Sequence, residues 1–187
     1  MKTFKDFFTE SPQFVNFKNT SLTKFNSDYV NKNYAVYLKN NFTPLDKVKG
    51  NDGKIYNRFS IGNDISKMDI YLLDDEVYMF FNYEIENNSI QEHLIWTSKK
   101  VRGLYRYLIF NFYLPNYSYF ESDSQLTEFG YLMWKKIILQ ALSLGKNVTV
   151  VNLNDKQEIR ITNDTLYDIL EKIFLKNSED ERIRIYN

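Results

Sequence analysis

Between residues 55 and 98 the chain alternates apolar and polar positions in short blocks. Residues 55–61, 68–73, 77–85 and 92–98 each read as a strand. Asp74-Asp75 and Glu86-Asn87-Asn88-Ser89 are turn sequences between them, and Gly50-Asn51-Asp52-Gly53 is a strong turn ahead of the first. Spacings this short predict antiparallel hairpins. The period then changes. Leu104, Leu108 and Phe112 recur every four residues, which predicts a helix ending before Pro115. Residues 117–121 read as a short strand. Leu126, Gly130, Met133, Ile137, Ala141 and Leu144 form a helical stripe, with Gly145 as its stop. Residues 147–153 are a β-branched strand. Asn163-Asp164 can cap a last helix whose apolar face is Leu166, Ile169, Leu170, Ile173 and Phe174. Tyr34-Ala35-Val36-Tyr37-Leu38 fits a strand or a helix segment.

Antiparallel strands followed by a β-α-β-α-β segment predict an α/β chain of the α+β type. Its central sheet is mixed and mostly antiparallel, with helices on its faces. Residues 1–20 read as an arm, with Phe4, Phe7 and Phe8 on one side and Ser11-Pro12 as a break. Residues 21–187 read as a single domain.

Composition narrows the chemistry. The 187 residues carry 24 basic and 24 acidic side chains, so no broad surface for nucleic acid is expected. The best local basic patch is Lys99, Lys100, Arg102 and Arg106. There is no cysteine, which excludes disulfides, thiolate metal sites and cysteine nucleophiles. The single histidine, His93, argues against a zinc site or a Ser-His-Asp triad, and no metal site is expected. No apolar run reaches the ~18 residues of a membrane-spanning helix, and no signal-peptide core is visible. A cytoplasmic protein is the default expectation.

The stretch that bears most on function, residues 96–151, reads as strand, glycine turn, helix, strand, long helix and strand. The turn Lys99-Lys100-Val101-Arg102-Gly103-Leu104-Tyr105-Arg106 follows an apolar run and opens a helix, where backbone N–H groups can hold a phosphate. Downstream stand Ser122-Asp123, Leu126-Thr127, Gly130 and Trp134, then Gly145-Lys146 and Val148-Thr149-Val150. Read without reference to any family, Ser122-Asp123 is a helix cap, with Gln125 completing a capping box. On these residues the chain resembles the GNAT superfamily of N-acetyltransferases, and more narrowly the divergent GNAT-like proteins of tailed bacteriophages. The resemblance covers about residues 55–153 by order of elements.

The resemblance implies a GNAT-like fold, a cytoplasmic (host cell) or virion location, and an acyl-CoA-dependent N-acyltransferase acting on an amine. Acetyl-CoA is the implied cofactor. Its pyrophosphate would meet the amides of Val101, Arg102, Gly103, Leu104, Tyr105 and Arg106, with charge-assisted contacts from Arg102 and Arg106. Its acyl carbonyl would lie near Ile95 and Trp96. Glu92 is the candidate base by position, and Tyr131 a candidate acid for the leaving thiolate. Tyr105 departs from the family pattern, which has glycine or alanine there; its ring would crowd the phosphate unless it swings away. That departure implies an alternative: a catalytically inactive GNAT-like scaffold serving as a phage structural or host-interaction protein. Phage head proteins can also carry peptides trimmed after hydrophobic-x-Glu, and Phe8-Thr9-Glu10 loosely resembles such a site.

Overall fold

Turn chemistry fixes the first strands. In the computed structural model, which describes residues 28–123, 128–176 and 180–187, β1 (Asp46–Lys49), β2 (Ile55–Gly62), β3 (Ser66–Leu73), β4 (Glu76–Glu86) and β5 (Ser89–Thr97) follow one another as neighbours. The β4–β5 connection is Asn87-Asn88, both at positive φ (50° and 59°). That pair of left-handed residues matches the twist of the flanking strands, and asparagine tolerates it better than most residues. At the β2–β3 turn the Asn63 carboxamide oxygen accepts the amides of Ile65 and Ser66 at 2.8 and 2.7 Å.

The remaining strands are β6 (Tyr119–Glu121), β7 (Val148–Asn152), β8 (Glu158–Arg160) and β9 (Glu181–Tyr186). Strand order is β1-β2-β3-β4-β5-β6-β9-β7-β8. β5 and β6 pair in parallel, while β9 runs antiparallel to both β6 and β7. The α-helices among the described residues are α1 (Asp28–Asn41), α2 (Leu104–Leu108), α3 (Glu128–Ser143) and α4 (Leu166–Lys176). The protein is thus α+β, with a nine-strand, mixed and mostly antiparallel open sheet. Expectations on residues 1–20 and on Gln125, Leu126 and Thr127 lie outside the described residues.

Several boundaries differ from expectation. The helix predicted to end before Pro115 is α-helical only to Leu108, continues as a π-helix at Ile109–Tyr113, and closes as a 3-10 turn at Leu114–Asn116. Pro115 is accepted there because the first residues of a turn need no N–H partner. The α4 cap is Thr165 and not Asn163-Asp164. Its carbonyl takes the Ile169 amide at 3.0 Å, and Thr162 and Thr165 exchange amide-to-hydroxyl bonds. At the end of α3, Gly145 (φ +71°) is the expected stop. The Lys146 amide bonds the Ala141 carbonyl and the Gly145 amide bonds that of Leu142, which closes the last turn.

The chain divides into two compact units. One runs to Ile85 and adds Leu94–Leu108; the other comprises Glu86–His93 and Ile109–Asn187. In the first, Tyr34, Ala35 and Leu38 of α1 pack with Phe59, Ile61, Met68, Ile70, Leu72, Val77, Phe80 and Trp96. The open choice at residues 34–38 resolves as helix. The buried positions are i, i+1 and i+4, and Val36, which a strand would bury with Tyr34 and Leu38, is exposed. The second unit buries Trp134, Ile137, Ile138 and Ala141 of α3 with Phe120, Val148, Val150, Ile183 and Ile185.

Burial holds the Tyr34 phenol well above its ordinary value of 10.0, with the neighbouring Tyr37 adding to the effect. Burial, then the bond to Asp52, does the same for Tyr56. A raised folded-state pKa favours the neutral form. The stability these phenols carry is therefore complete below pH ~10 and falls as pH rises beyond it. Ultraviolet titration should show exposed tyrosines ionising first, with Tyr34 and Tyr56 ionising only as the fold is lost. A single reversible phenol transition near pH 10, with structure retained, would contradict this.

Candidate functional site

β5 ends at Thr97, and the chain turns through Ser98-Lys99-Lys100-Val101-Arg102-Gly103 into α2. The turn closes on Ser98. The Val101 amide donates to the Ser98 carbonyl, and the Lys100 amide to Ser98 Oγ, each at 3.2 Å. Gly103 has φ +76°, a conformation that a side chain would strain.

Beside this turn, in the same unit, lies the β1–β2 turn Gly50-Asn51-Asp52-Gly53. Asn51 Nδ2 donates to the Arg102 carbonyl at 2.8 Å. In a trans peptide the carbonyl and the following amide point in opposite directions, so this bond aims the Gly103 N–H away from Asn51. A Cβ on Gly50 would stand 2.6 Å from the Tyr56 ring and 3.1 Å from Leu104 Cδ1, so the two turns meet with no room for a side chain. Asn51 is thus part of the turn's architecture, although it lies 51 residues from Arg102. Its only sequence signal is the glycine pair that encloses it.

The basic patch divides into committed and uncommitted charges. Lys100 Nζ is held by both carboxylate oxygens of Glu76, at 2.7 and 2.8 Å. Among the described residues neither Arg102 nor Arg106 takes part in an ion pair or a side-chain hydrogen bond. Arg102 and Gly103 are exposed, and Arg106 is half-buried.

Tyr105 swings inward. Its side chain is only 3% exposed, and its ring lies 5.4 Å from that of Phe81, tilted by 54°. The ring that the sequence places in the turn is therefore part of the core. Val101 and Leu104 are buried as well. Trp96 stacks on Phe80 at 5.7 Å and 13° as a core residue, while Ile95 is half-buried on β5. These residues are brought together in the first unit.

The two candidate catalytic groups belong to the second unit. Glu92 on β5 is 4% exposed, and its carboxylate accepts the Trp134 indole N–H at 3.1 Å. Trp134 is fully buried, and its ring centroid lies 6.1 Å from that of Phe120. Tyr131 is half-buried on α3, and His93 is half-buried on β5. Ser122 is tied to β9, while the helix cap expected of it would serve residues outside the described ones. Its Oγ accepts the Ile183 amide at 3.0 Å, and its own amide donates to the Ile183 carbonyl at 2.9 Å.

A second charge cluster crosses β6, β9 and β8. Glu121 is buried and takes Arg182 Nη1 at 3.0 Å and Arg184 Nε at 2.8 Å. Arg184 Nη1 continues to Glu158 at 2.9 Å, and the Tyr186 hydroxyl donates to the same carboxylate. The Arg184 guanidinium also lies 4.2 Å from the Tyr119 ring centroid. Burial lowers the Arg184 pKa, but the bonds to Tyr186 and Glu121 and the charge of Glu121 outweigh it, so it ends above its ordinary value. This cluster binds strands to one another. The glycine turn differs from it in leaving both of its arginines uncommitted among the described residues.

No helix among the described residues is long and apolar enough to cross a membrane. Comparison with known protein families, curated proteins and solved structures returns no match.

Proposed function

We propose that the chain is a GNAT-like protein of the tailed-phage type, and that its turn at residues 98–106 binds the diphosphate of coenzyme A. The observation that carries this reading is the placement of Tyr105. Its ring packs on Phe81 in the core, so the departure from glycine or alanine at that position leaves the turn unobstructed. Three further features support it. Gly103 is exposed and in the left-handed conformation, Asn51 fixes the peptide before it, and Arg102 and Arg106 flank it uncommitted. A diphosphate is the ligand such a set suits. Backbone N–H donors meet its oxygens at short range, and guanidiniums add charge-assisted bonds. The acyl group carried by the thioester would pass to an amine.

Calorimetric titration with coenzyme A and with acetyl-CoA tests the reading. Binding is expected, and Arg102→Ala and Arg106→Ala should each weaken it by roughly 10–100-fold, the worth of one charge-assisted hydrogen bond. Binding should also weaken as salt is raised. No heat of binding from wild-type protein at millimolar ligand would sink the proposal.

A second reading is favoured by Glu92. A base must reach an incoming amine, whereas this carboxylate is buried and holds the Trp134 indole. On that reading the scaffold binds without transferring, as a phage structural or host-interaction protein. Thiol release from acetyl-CoA in the presence of a panel of amines separates the two. Binding without thiol release supports the scaffold, and release supports the transferase.

A further inference from the structure

The outer edge of β8 carries a pattern that is complementary to itself. β8 is the last strand in the sheet order, so no described strand pairs with its far side. Its three residues, Glu158-Ile159-Arg160, are all exposed, and Ile159 is 58% exposed.

The hydrogen-bond phase of the β7–β8 ladder says which backbone groups face outward. The Ile161 amide bonds the Val148 carbonyl at 2.8 Å, and the Asn152 amide bonds the Gln157 carbonyl at 2.9 Å. Hydrogen-bonded pairs in an antiparallel ladder recur every second residue. Ile159, opposite Val150, therefore turns its N–H and C=O towards β7. Glu158 and Arg160 turn theirs to the open edge. A row of free backbone donors and acceptors on an exposed edge is a template for another strand.

From this we infer that the partner is a second copy of the same chain, paired antiparallel through β8 about a two-fold axis at Ile159. In that register Glu158 faces Arg160 of the other copy. These are the residues whose N–H and C=O point outward, so the pair can exchange both backbone bonds. The same register places Glu158 and Arg160, residues of opposite charge, directly across from one another on both sides of the axis, while within its own chain Glu158 also accepts from Arg184 and Tyr186, and Arg160 donates to Asn147 Oδ1 at 3.1 Å. Opposite charges at directly opposed positions stabilise a ladder, and like charges destabilise it. Ile159 meets Ile159 as a non-hydrogen-bonded pair, the closer of the two pair types, with Cα atoms about 4.5 Å apart. Shifting the register by one residue sets Ile159, whose backbone groups face β7, opposite Glu158 or Arg160 and loses the charge match and the hydrogen-bond phase together; shifting it by two sets like charges opposite each other. An isologous contact of this kind closes on itself and gives dimers, not fibres. A three-residue strand buries little area, so the dimer is weak and concentration-dependent.

Charge exchange tests this. Arg160→Glu places like charges across the axis, and Glu158→Lys does the same with the opposite sign. In sedimentation velocity each variant alone should show a dimer dissociation constant raised at least tenfold over wild type. An equimolar mixture should recover wild-type affinity as a heterodimer, because each Glu then faces a Lys or an Arg. Recovery in the mixture also shows that both variants fold. A second measurement avoids charge altogether. The chain has no cysteine, so Ile159→Cys supplies a single thiol. Mild oxidation should link it into a covalent dimer at least tenfold faster than Ile65→Cys, whose isoleucine is 64% exposed on a different turn. Wild-type protein that sediments as a monomer up to high concentration would overturn the inference. So would a mixture no tighter than its components, or equal cross-linking of the two cysteine variants.

Discussion

Replacing Asp69 with alanine is expected to destabilise the first unit by about 3–5 kcal/mol, the cost of stranding a buried charge. Asp69 has no exposed surface, and its carboxylate takes Arg58 Nη1 at 2.8 Å and the Tyr83 hydroxyl at 3.2 Å. Arg58 is itself buried and is also bound by Asp46, through Nε at 2.9 Å and Nη2 at 2.8 Å. Burial lowers the Arg58 pKa, but the bonds to Asp46 and the charge of Asp69 more than offset this. The guanidinium thus stays charged at any accessible pH. It cannot shed its proton when Asp69 is removed. Water reaches Asp46 at the rim and does not reach Asp69, so Asp46 alone is a poor substitute. Asp46→Ala should therefore cost much less, about 1 kcal/mol. Urea unfolding followed by the fluorescence of Trp96, which lies in the same unit, measures both. Equal effects of the two substitutions would show that burial does not separate them.

The second large effect is expected at Glu121. Glu121→Ala removes the acceptor for Arg182 and Arg184 at once, and should cost the second unit about 2–4 kcal/mol. The lower figure reflects that both guanidiniums are partly open to water. The substitution falls hardest on Arg182, whose Nε is already buried without a hydrogen-bond partner. Arg184 keeps Glu158 and the Tyr119 ring. A Glu121→Gln variant keeps an acceptor without the charge and should lose roughly half as much. Trp134 fluorescence reports this unit. A loss below about 0.5 kcal/mol for the alanine variant would mean that the cluster is ornament on the sheet surface.

How much of this was legible depends on where each element keeps its information. The hairpins from β2 to β5 were readable because their turns are local: Asn87-Asn88 carries the positive φ values in the residues themselves. Gly145 was readable as a stop for the same reason. β9 was not found, although Glu181-Arg182-Ile183-Arg184-Ile185-Tyr186 alternates strictly and buries Ile183 and Ile185. Its charged positions need a partner across the sheet, and Glu121, 61 residues away, makes Arg182 at home there. β8 carries no apolar pattern at all, since every residue in it is exposed. At the site, the glycine turn and its two arginines were visible, but Asn51 was not, because its role exists only once two turns meet. Tyr105 could have been placed. It sits with Leu108 and Ile109 at helical spacing on one apolar face, and all three are buried. The Glu92 carboxylate looked free in one dimension, and a tryptophan 42 residues on occupies it in three.

The position of β9 has a consequence for synthesis. It is the last strand in chain order among the described elements, yet it lies inside the sheet, between β6 and β7. On the ribosome, β6 and the β7–β8 hairpin emerge first and find no partner between them. Their unpaired edges and the apolar faces of α3 and α4 stay exposed until residues 181–186 arrive. Contacts that span such separations form late, because loop-closure entropy is met before they contribute. The first unit carries no such dependence: its strands β1 to β4 pair in the order in which they are made. Vectorial folding should therefore leave a nascent chain whose first unit is ordered while the second waits, and that interval is when chaperones have a surface to hold.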